Sequence, residues 1–317
     1  MAYIKSPIFY MGNKFDLLYE LLPRFPKSDE VGTFIDLFGG SGTISLNVPY
    51  KNIIYNELNE NIINLLKMFK EYEPKQIIKH IEKRIKEFSL NIEGTDIRQN
   101  VENIKEVREQ YNQHYLKFRE YYNNQQQKQM LDLYTLTFYS FCNLIRFNSK
   151  NEFNMPFGNR CFSQEHKKNI YNACDILKNK KIVFQNQDAF TILKSIKSND
   201  KKYFIYLDPP YSNTMAIYNE NRAFGGWGIE DDYKLFDELD RLNKIGVKWC
   251  LSNVLENKGK TNYHLKEWAN KNNYEVIYLE DKNYASLGKG NANSLEIVIV
   301  NYDTPFKKFN IFDFIGE

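Results

Sequence analysis

The sequence predicts an α/β protein: a largely parallel sheet covered by helices on both faces, interrupted by an inserted and mainly helical domain. Short apolar runs bounded by turn residues recur at 33–38, 51–57, 181–188, 202–208, 247–253, 274–280 and 294–302, as the strands of a buried sheet do. Segments of helical composition, such as 231–244 and 263–272, separate several of these runs, and alternation of strand with helix is what parallel neighbours require. From about Glu60 to Tyr139 the pattern changes to charged and amide residues with apolar positions at helical spacing.

The run TFIDLF (33–38) is a short buried strand closed by Gly39-Gly40-Ser41-Gly42, with a helix starting at Thr43 to Leu46. KNIIYNE (51–57) is a second strand and ends on Glu57. In the helical block that follows, Ile62, Leu65, Leu66 and Phe69 keep helical spacing, as do Ile77, Ile81 and Ile85. NNQQQKQ (123–129) is a polar, low-complexity piece that reads as a solvated helix surface or loop. Strands return with KIVFQNQD, ending on Asp188, and KYFIYLD, ending on Asp208; VKWCLSN, YEVIYLE and SLEIVIVNY complete the set. This division gives a discontinuous α/β domain of residues 1–59 and 180–317 around an insertion of residues 60–179. Residues 212–230, with Gly225, Gly226 and Gly228, are expected to form a mobile loop.

At 317 residues the chain can bury a sizeable core as one large domain or two modest ones. Charged residues at 26% and hydrophobic ones at 42% are ordinary for a soluble protein, whereas 23 Phe and 23 Tyr are many, and rings either fill a core or stack on bases. A net charge of +3 permits a polyanionic partner without arguing for one. Cys142, Cys161, Cys174 and Cys250 form no CxxC pair and His80, His114, His166 and His264 no ligand spacing, so free thiols in a reducing cytoplasm and no metal site are expected. No export segment and no membrane span are predicted.

In an open α/β sheet, ligands lie beyond the carboxyl ends of the strands. The glycines at the first exit let backbone approach a ligand closely, and the helix start behind them supplies free N–H groups. Gly40-Ser41-Gly42, with Ser45 in the third position, misses the full dinucleotide fingerprint, and a tight structural turn explains it equally well. Glu57, fifteen residues after Gly42, stands where an acid accepts from ribose hydroxyls. Asp188, at the third exit, can accept from an adenine amino group, or be a solvated loop acid. Asp208-Pro209-Pro210-Tyr211 closes the fourth in a stiff turn whose Asp208 and Pro209 carbonyls project from the strand end.

With these motifs the chain resembles the Dam-type (D12 class, alpha group) adenine-N6 DNA methyltransferases, which use S-adenosylmethionine. SPIFYMGNK (6–14) resembles their amino-terminal cofactor motif, FIDLFGGSGTISLN (34–47) their glycine motif and DPPY (208–211) their catalytic motif. NLIRFNSKNEFNMPFG (143–158) is similar to the stretch that begins target recognition; WCLSN and NSLEIVIVNY fit the later strands, and NYASLGKGNANS (283–294) loosely follows a glycine- and asparagine-rich loop. Glu57 stands where the family often has Asp.

The resemblance implies a Rossmann-like S-adenosylmethionine-dependent methyltransferase sheet with an inserted helical target-recognition domain. It implies cofactor contacts at Tyr10, Lys14, Asp36, Phe38, Gly39, Gly40, Ser41, Gly42, Glu57, Asp188, Ala189 and Asp208, with S-adenosylhomocysteine as product. Catalysis falls to Asp208, Pro209, Pro210 and Tyr211, the tyrosine stacking on an adenine flipped out of duplex DNA. Arg146, Phe147, Asn148, Lys150, Asn154, Pro156 and Arg160 are the implied DNA contacts. A restriction-modification, phage or orphan enzyme fits, the first with a separately acting endonuclease; the recognised sequence, GATC or another, and the oligomeric state stay open. Methylation of RNA or of a protein glutamine, or a catalytically silent nucleic-acid-binding relative, are the alternatives.

Overall fold

The computed structural model describes residues 3–93, 104–211, 227–257, 259–279 and 294–305. Expectations for 212–226 and for 283–293 lie outside the described residues. By its internal contacts the chain divides into two compact units, one of 14–39, 47–58 and 182–317, the other of 1–13, 40–46 and 59–181. The helical unit therefore takes in 1–13 and 40–46, beyond the 60–179 insertion read from sequence.

The strands are β1 (Thr33–Asp36), β2 (Asn52–Asn56), β3 (Lys181–Gln185), β4 (Tyr203–Leu207), β5 (Lys248–Asn257), β6 (Lys260–Thr261), β7 (Glu275–Tyr278) and β8 (Ser294–Val300). The sheet order is β3-β2-β1-β4-β5-β8-β7, with the short β6 paired to β5. β1 pairs in parallel with β2 and with β4, and β4 with β5. β8 runs antiparallel to both β5 and β7, so the expected parallel sheet ends on an antiparallel pair. Parallel neighbours need a crossover, whereas β7 and β8 are consecutive in the chain and pair directly.

Alternation along β1 and β4 gives the sheet two apolar faces. Ile35, Leu37, Ile205 and Leu207 point into one core, shared with Leu193, Leu235, Leu239, Trp249, Leu265 and Trp268. The helices of this unit are α1 (Leu18–Leu21), α8 (Ala189–Ser195), α9 (Ile229–Lys244) and α10 (Tyr263–Lys271), and α8, α9 and α10 all contribute to that core. Phe236 stacks on Trp268 at 4.2 Å between ring centroids. The intervening residues Phe34, Phe204 and Tyr206 meet Phe25, with Tyr50 against the first two. Arg241 of α9 donates to the carbonyls of Leu193 and Ile196 at the end of α8, the first of which also accepts from the Ile196 N–H.

The other unit holds 43–46 of α2 (Thr43–Asn47), with α3 (Glu60–Glu71), α4 (Pro74–Glu87), α5 (Ile104–Asn123), α6 (Met130–Tyr139) and α7 (Gln164–Asn179). Helix α7, absent from the sequence reading, starts where Ser163 accepts from the His166 N–H and the His166 ring reciprocates on the Ser163 backbone. Residues 124–129 form a loop, and Gln125 within it donates to Asp132 at 2.6 Å. Asp132 is fully buried and also accepts from His80 at 2.6 Å and from Arg84 Nε at 2.7 Å. These bonds join α4, α6 and the loop, with Arg84 reaching Tyr121 of α5 as well. Burial pushes the Asp132 carboxyl up, but the hydrogen bonds from His80, Arg84 and Gln125 outweigh it and hold it below the usual carboxylate range.

Candidate active site

Three strand exits are held together by one side chain that the sequence reading passed over. The Asn56 amide donates to the carbonyls of Leu37 and Gln187, each at 3.0 Å, and its oxygen accepts from the Gln187 N–H at 3.0 Å. Its backbone carbonyl accepts from the Gly39 N–H at 2.8 Å. The ends of β1 and β2 and the segment after β3 are thus in fixed register, carrying Phe38, Gly39, Glu57 and Asp188 with them. A Cβ on Gly39 would run into the Tyr55 ring, so only glycine fits there. The Glu57 N–H donates to the Gln185 carbonyl and its side chain is largely buried. Asp188 is exposed, precedes α8 and accepts from the Thr191 N–H at 3.2 Å, as an N-cap does. Asp36 and Ala189 are buried, and Phe38 is half-buried against Trp227.

At the end of β4, Asp208 has both oxygens engaged. Tyr211 donates its hydroxyl to Oδ1 at 2.7 Å, and the Lys14 ammonium lies 3.0 Å from Oδ2. Lys14 also donates to the Tyr211 hydroxyl at 2.8 Å and stands 3.7 Å from Oε2 of Glu296, near the start of β8. Lys14 is buried, at 4% exposure. Burial pulls the pKa of its ammonium down, but the Asp208 and Glu296 carboxylates prevail and hold it above the ordinary lysine range. Burial pushes Glu296 up, Lys14 opposes, and Asp208 adds to the rise. Pro209 is buried, and Pro210 and Tyr211 are half-buried. The result is an ammonium between two carboxylates, with a phenol ring beside them, at the edge where strands β1 and β4 end. Such a group can bind an amino-acid zwitterion, and its acceptors suit an amino group that gains positive charge.

In the other unit, Tyr10 packs its ring against Gly40, which has a left-handed φ of +49°. Gly42, at φ +75°, follows Ser41, whose carbonyl accepts from Ser6 at 2.6 Å and whose hydroxyl bonds Thr43.

The seven residues expected to meet DNA lie on or beside a hairpin in this same unit. Its bridges join Ser140 with Phe157 and Phe147 with Phe153, and its tip turns at Asn151, with φ +58°. Asn148 shapes the tip by accepting from the Lys150 and Glu152 N–H groups, each at 3.0 Å. Arg146 donates to the Asn154 side chain at 2.9 Å, and the Phe147 ring meets Phe153 edge-on. Pro156 accepts from the Phe141 N–H at the base of the hairpin. Arg160 follows the hairpin and donates to Asn143. Arg146, Lys150 and Arg160 are exposed. Helix α5 braces the hairpin through residues that the sequence reading did not single out. Asn123 exchanges two hydrogen bonds with the Phe153 backbone, and Tyr115 and Arg119 donate to the Met155 carbonyl.

Among the described residues there is no group of acids, cysteines and histidines able to hold a metal ion, and no helix long and apolar enough to cross a membrane.

The sequence pattern of the D12 class of N6 adenine-specific DNA methyltransferases matches residues 10–285. A Streptococcus sanguinis protein named modification methylase StsI is 37% identical over 318 residues, spanning 98% of this chain and 44% of that protein. The type II methyltransferase M.FokI of Planomicrobium okeanokoites is 36% identical over 305 residues, 95% of this chain and 43% of that one. The DNA adenine methylase of Escherichia coli K12 is 25% identical over 217 residues, 66% of each chain. The chain therefore spans less than half the length of the first two relatives.

Proposed function

Because the chain belongs to the D12 class of N6 adenine-specific DNA methyltransferases, we propose that it transfers a methyl group from S-adenosylmethionine to the N6 nitrogen of an adenine turned out of duplex DNA. The observation that carries this reading is the cluster at the end of β4, in which Asp208 is bonded to Tyr211 and paired with buried Lys14.

An adenine amino nitrogen is a poor nucleophile because its lone pair is delocalised into the ring. The Asp208 carboxylate and the Pro209 carbonyl accept its two hydrogens and favour a pyramidal nitrogen with a directed lone pair. Catalysis comes from this positioning and from acceptors matched to the positive charge that develops on the nitrogen. The amino group replaces the Tyr211 hydroxyl on Oδ1, and the freed ring stacks on the base. When bound, S-adenosylmethionine supplies a methyl group on a sulfonium cation as the electrophile. The donor set fits that molecule: Lys14 and Asp208 for the amino-acid end, Glu57 for the ribose hydroxyls and Asp188 for the adenine amino group. Asp36, Phe38, Gly39 and Ala189 complete the cofactor residues of this unit, and Tyr10, Gly40, Ser41 and Gly42 are the cofactor residues proposed in the other.

The braced hairpin reads the target, with Arg146, Lys150 and Arg160 meeting phosphates or a guanine edge, Phe147 as a wedge, and Asn148 and Asn154 pairing with base edges beside Pro156. Residues 1–59 and 180–317 act as the catalytic domain and 60–179 as the recognition domain. The names of the StsI and FokI relatives support a place in a restriction-modification system, with a cognate endonuclease acting separately in the cytoplasm.

The test is incubation with labelled S-adenosylmethionine and mixed-sequence duplex DNA, followed by mapping of the modified positions. Label on adenine N6 is expected, and none from Asp208→Ala, whose fold persists because Lys14 keeps Glu296 as partner. Label in RNA or protein alone, or near-normal turnover by Asp208→Ala, overturns the reading.

A further inference from the structure

We infer that Glu296 makes the cofactor site prefer the positively charged methyl donor over its uncharged product, by leaving the cluster around Lys14 with one negative charge in excess. The inference rests on the reading that this chain binds S-adenosylmethionine.

The Lys14 ammonium lies 3.0 Å from Asp208 and 3.7 Å from Glu296, and the three side chains are 5%, 19% and 14% exposed, so bulk water screens them poorly. These three groups, with Glu296 ionised opposite the Lys14 ammonium, sum to minus one. Lys14 and Asp208 alone form a neutral pair, and a neutral pair complements the zwitterionic amino-acid end that donor and product share. The two ligands differ at the sulfur. S-adenosylmethionine carries an ammonium, a carboxylate and a sulfonium, and sums to plus one; once the methyl has left, the sulfur is a neutral thioether and the sum is zero. Glu296 is the member of the cluster that Asp208 does not need for catalysis and that Lys14 does not need for charge neutrality. Its charge attracts a sulfonium and does nothing comparable for a thioether. Glu57 and Asp188 face the nucleoside end in the proposed site, which is common to both ligands.

Placement supports a built feature rather than a chance contact. Glu296 sits on β8, antiparallel to β5, whose other neighbour is β4 with Asp208 at its end. Its carboxylate comes within 3.7 Å of the Lys14 ammonium. Glu296 is followed by the buried apolar residues Ile297, Val298, Ile299 and Val300, and an acid paired with a lysine at the head of such a run has no packing purpose, since an apolar residue of the same size would fill the space without desolvation cost. The functional consequence is that product, once formed, loses an attraction that the donor had, which favours release when release limits turnover.

A merely structural role, holding Lys14 in place, would weaken both ligands alike, so the diagnostic quantity is a ratio of affinities. Isothermal titration of the full chain with S-adenosylmethionine, S-adenosylhomocysteine and sinefungin, whose amine puts a positive charge near the sulfur position, measures it. In Glu296→Gln the preference for each cationic ligand over S-adenosylhomocysteine should fall about tenfold, the scale expected for one charge acting across several ångströms at an intermediate dielectric, while Glu296→Asp retains it. Glu296→Met is the second neutral variant should the glutamine fail to fold, and circular dichroism checks each. A ratio unchanged in the neutral variants, or a uniform loss for all three ligands, overturns the inference. Failure of the wild-type chain to bind any of the three instead sinks the cofactor reading beneath it.

Discussion

Tyr211 occupies the acceptor that the proposed reaction needs, and removing only its hydroxyl tests the arrangement. The hydroxyl donates to Asp208 Oδ1 at 2.7 Å and accepts from Lys14 at 2.8 Å. A hydrogen bond to a charged group contributes about 1.5–3 kcal/mol, and this one must break before Oδ1 can accept an amino group. Tyr211→Phe deletes it, keeps the ring, and leaves Lys14 its two carboxylates; the freed oxygen is close to water, since Asp208 is 19% exposed. Adenine entry should therefore become easier by roughly 1.4 kcal/mol, about tenfold in the DNA concentration giving half-maximal rate. Tyr211→Ala loses the base-stacking ring as well, worth about 1–3 kcal/mol, and should be slower than both. Single-turnover methyl transfer to a duplex bearing one site, titrated with DNA, measures both effects. If the phenylalanine variant is as impaired as the alanine one, the hydroxyl takes part in the reaction and the reasoning fails.

Asp132→Ala leaves His80 and Arg84 facing a buried gap and should cost about 3–5 kcal/mol of stability, read as a lower urea midpoint; a loss under about 1 kcal/mol would deny the network its role. Replacing Arg146 and Phe147 together should weaken DNA binding at least tenfold with cofactor affinity unchanged, and a loss confined to the cofactor would contradict the assignment of the hairpin. Burial brings Lys180 down to about 8 while its ammonium donates to the Ser45 and Leu46 carbonyls. Above that pH the folded chain holds one proton fewer than the unfolded chain, so stability should rise from about pH 8 toward the ordinary lysine range. Denaturation of wild type and Lys180→Met at about pH 7.5 and 9.5 compares the increments, and equal slopes would refute it.

Much of the sheet was legible because strands covered on both faces must read as unbroken apolar runs; TFID and YFIYL are buried from their second residue onward. The acids and glycines at the exits were legible because polar residues ending such runs have few structural uses in combination. Strand order is non-local, so nothing in SLEIVIVNY announces that β8 lies between β5 and β7. Glu296 in that run reads as a polar residue at the head of an apolar strand, and its pairing depends on a lysine far away in sequence. Asn56 escaped for a similar reason: an amide next to an acid at a strand end looks solvated, and its partners Leu37 and Gln187 are remote in the chain. The amides of 123–129 looked like surface, yet Gln125 serves a carboxylate that only the packing of α4 and α6 creates.

The bond between Asn56 and Gln187 spans 131 positions, and almost everything between them is the long helical excursion. For the sheet, that excursion starts and finishes at a single carboxamide, like a drawer with one latch. A different excursion in place of 59–180 would leave Glu57, next to the latch, and Asp188, just past it, in their present stations.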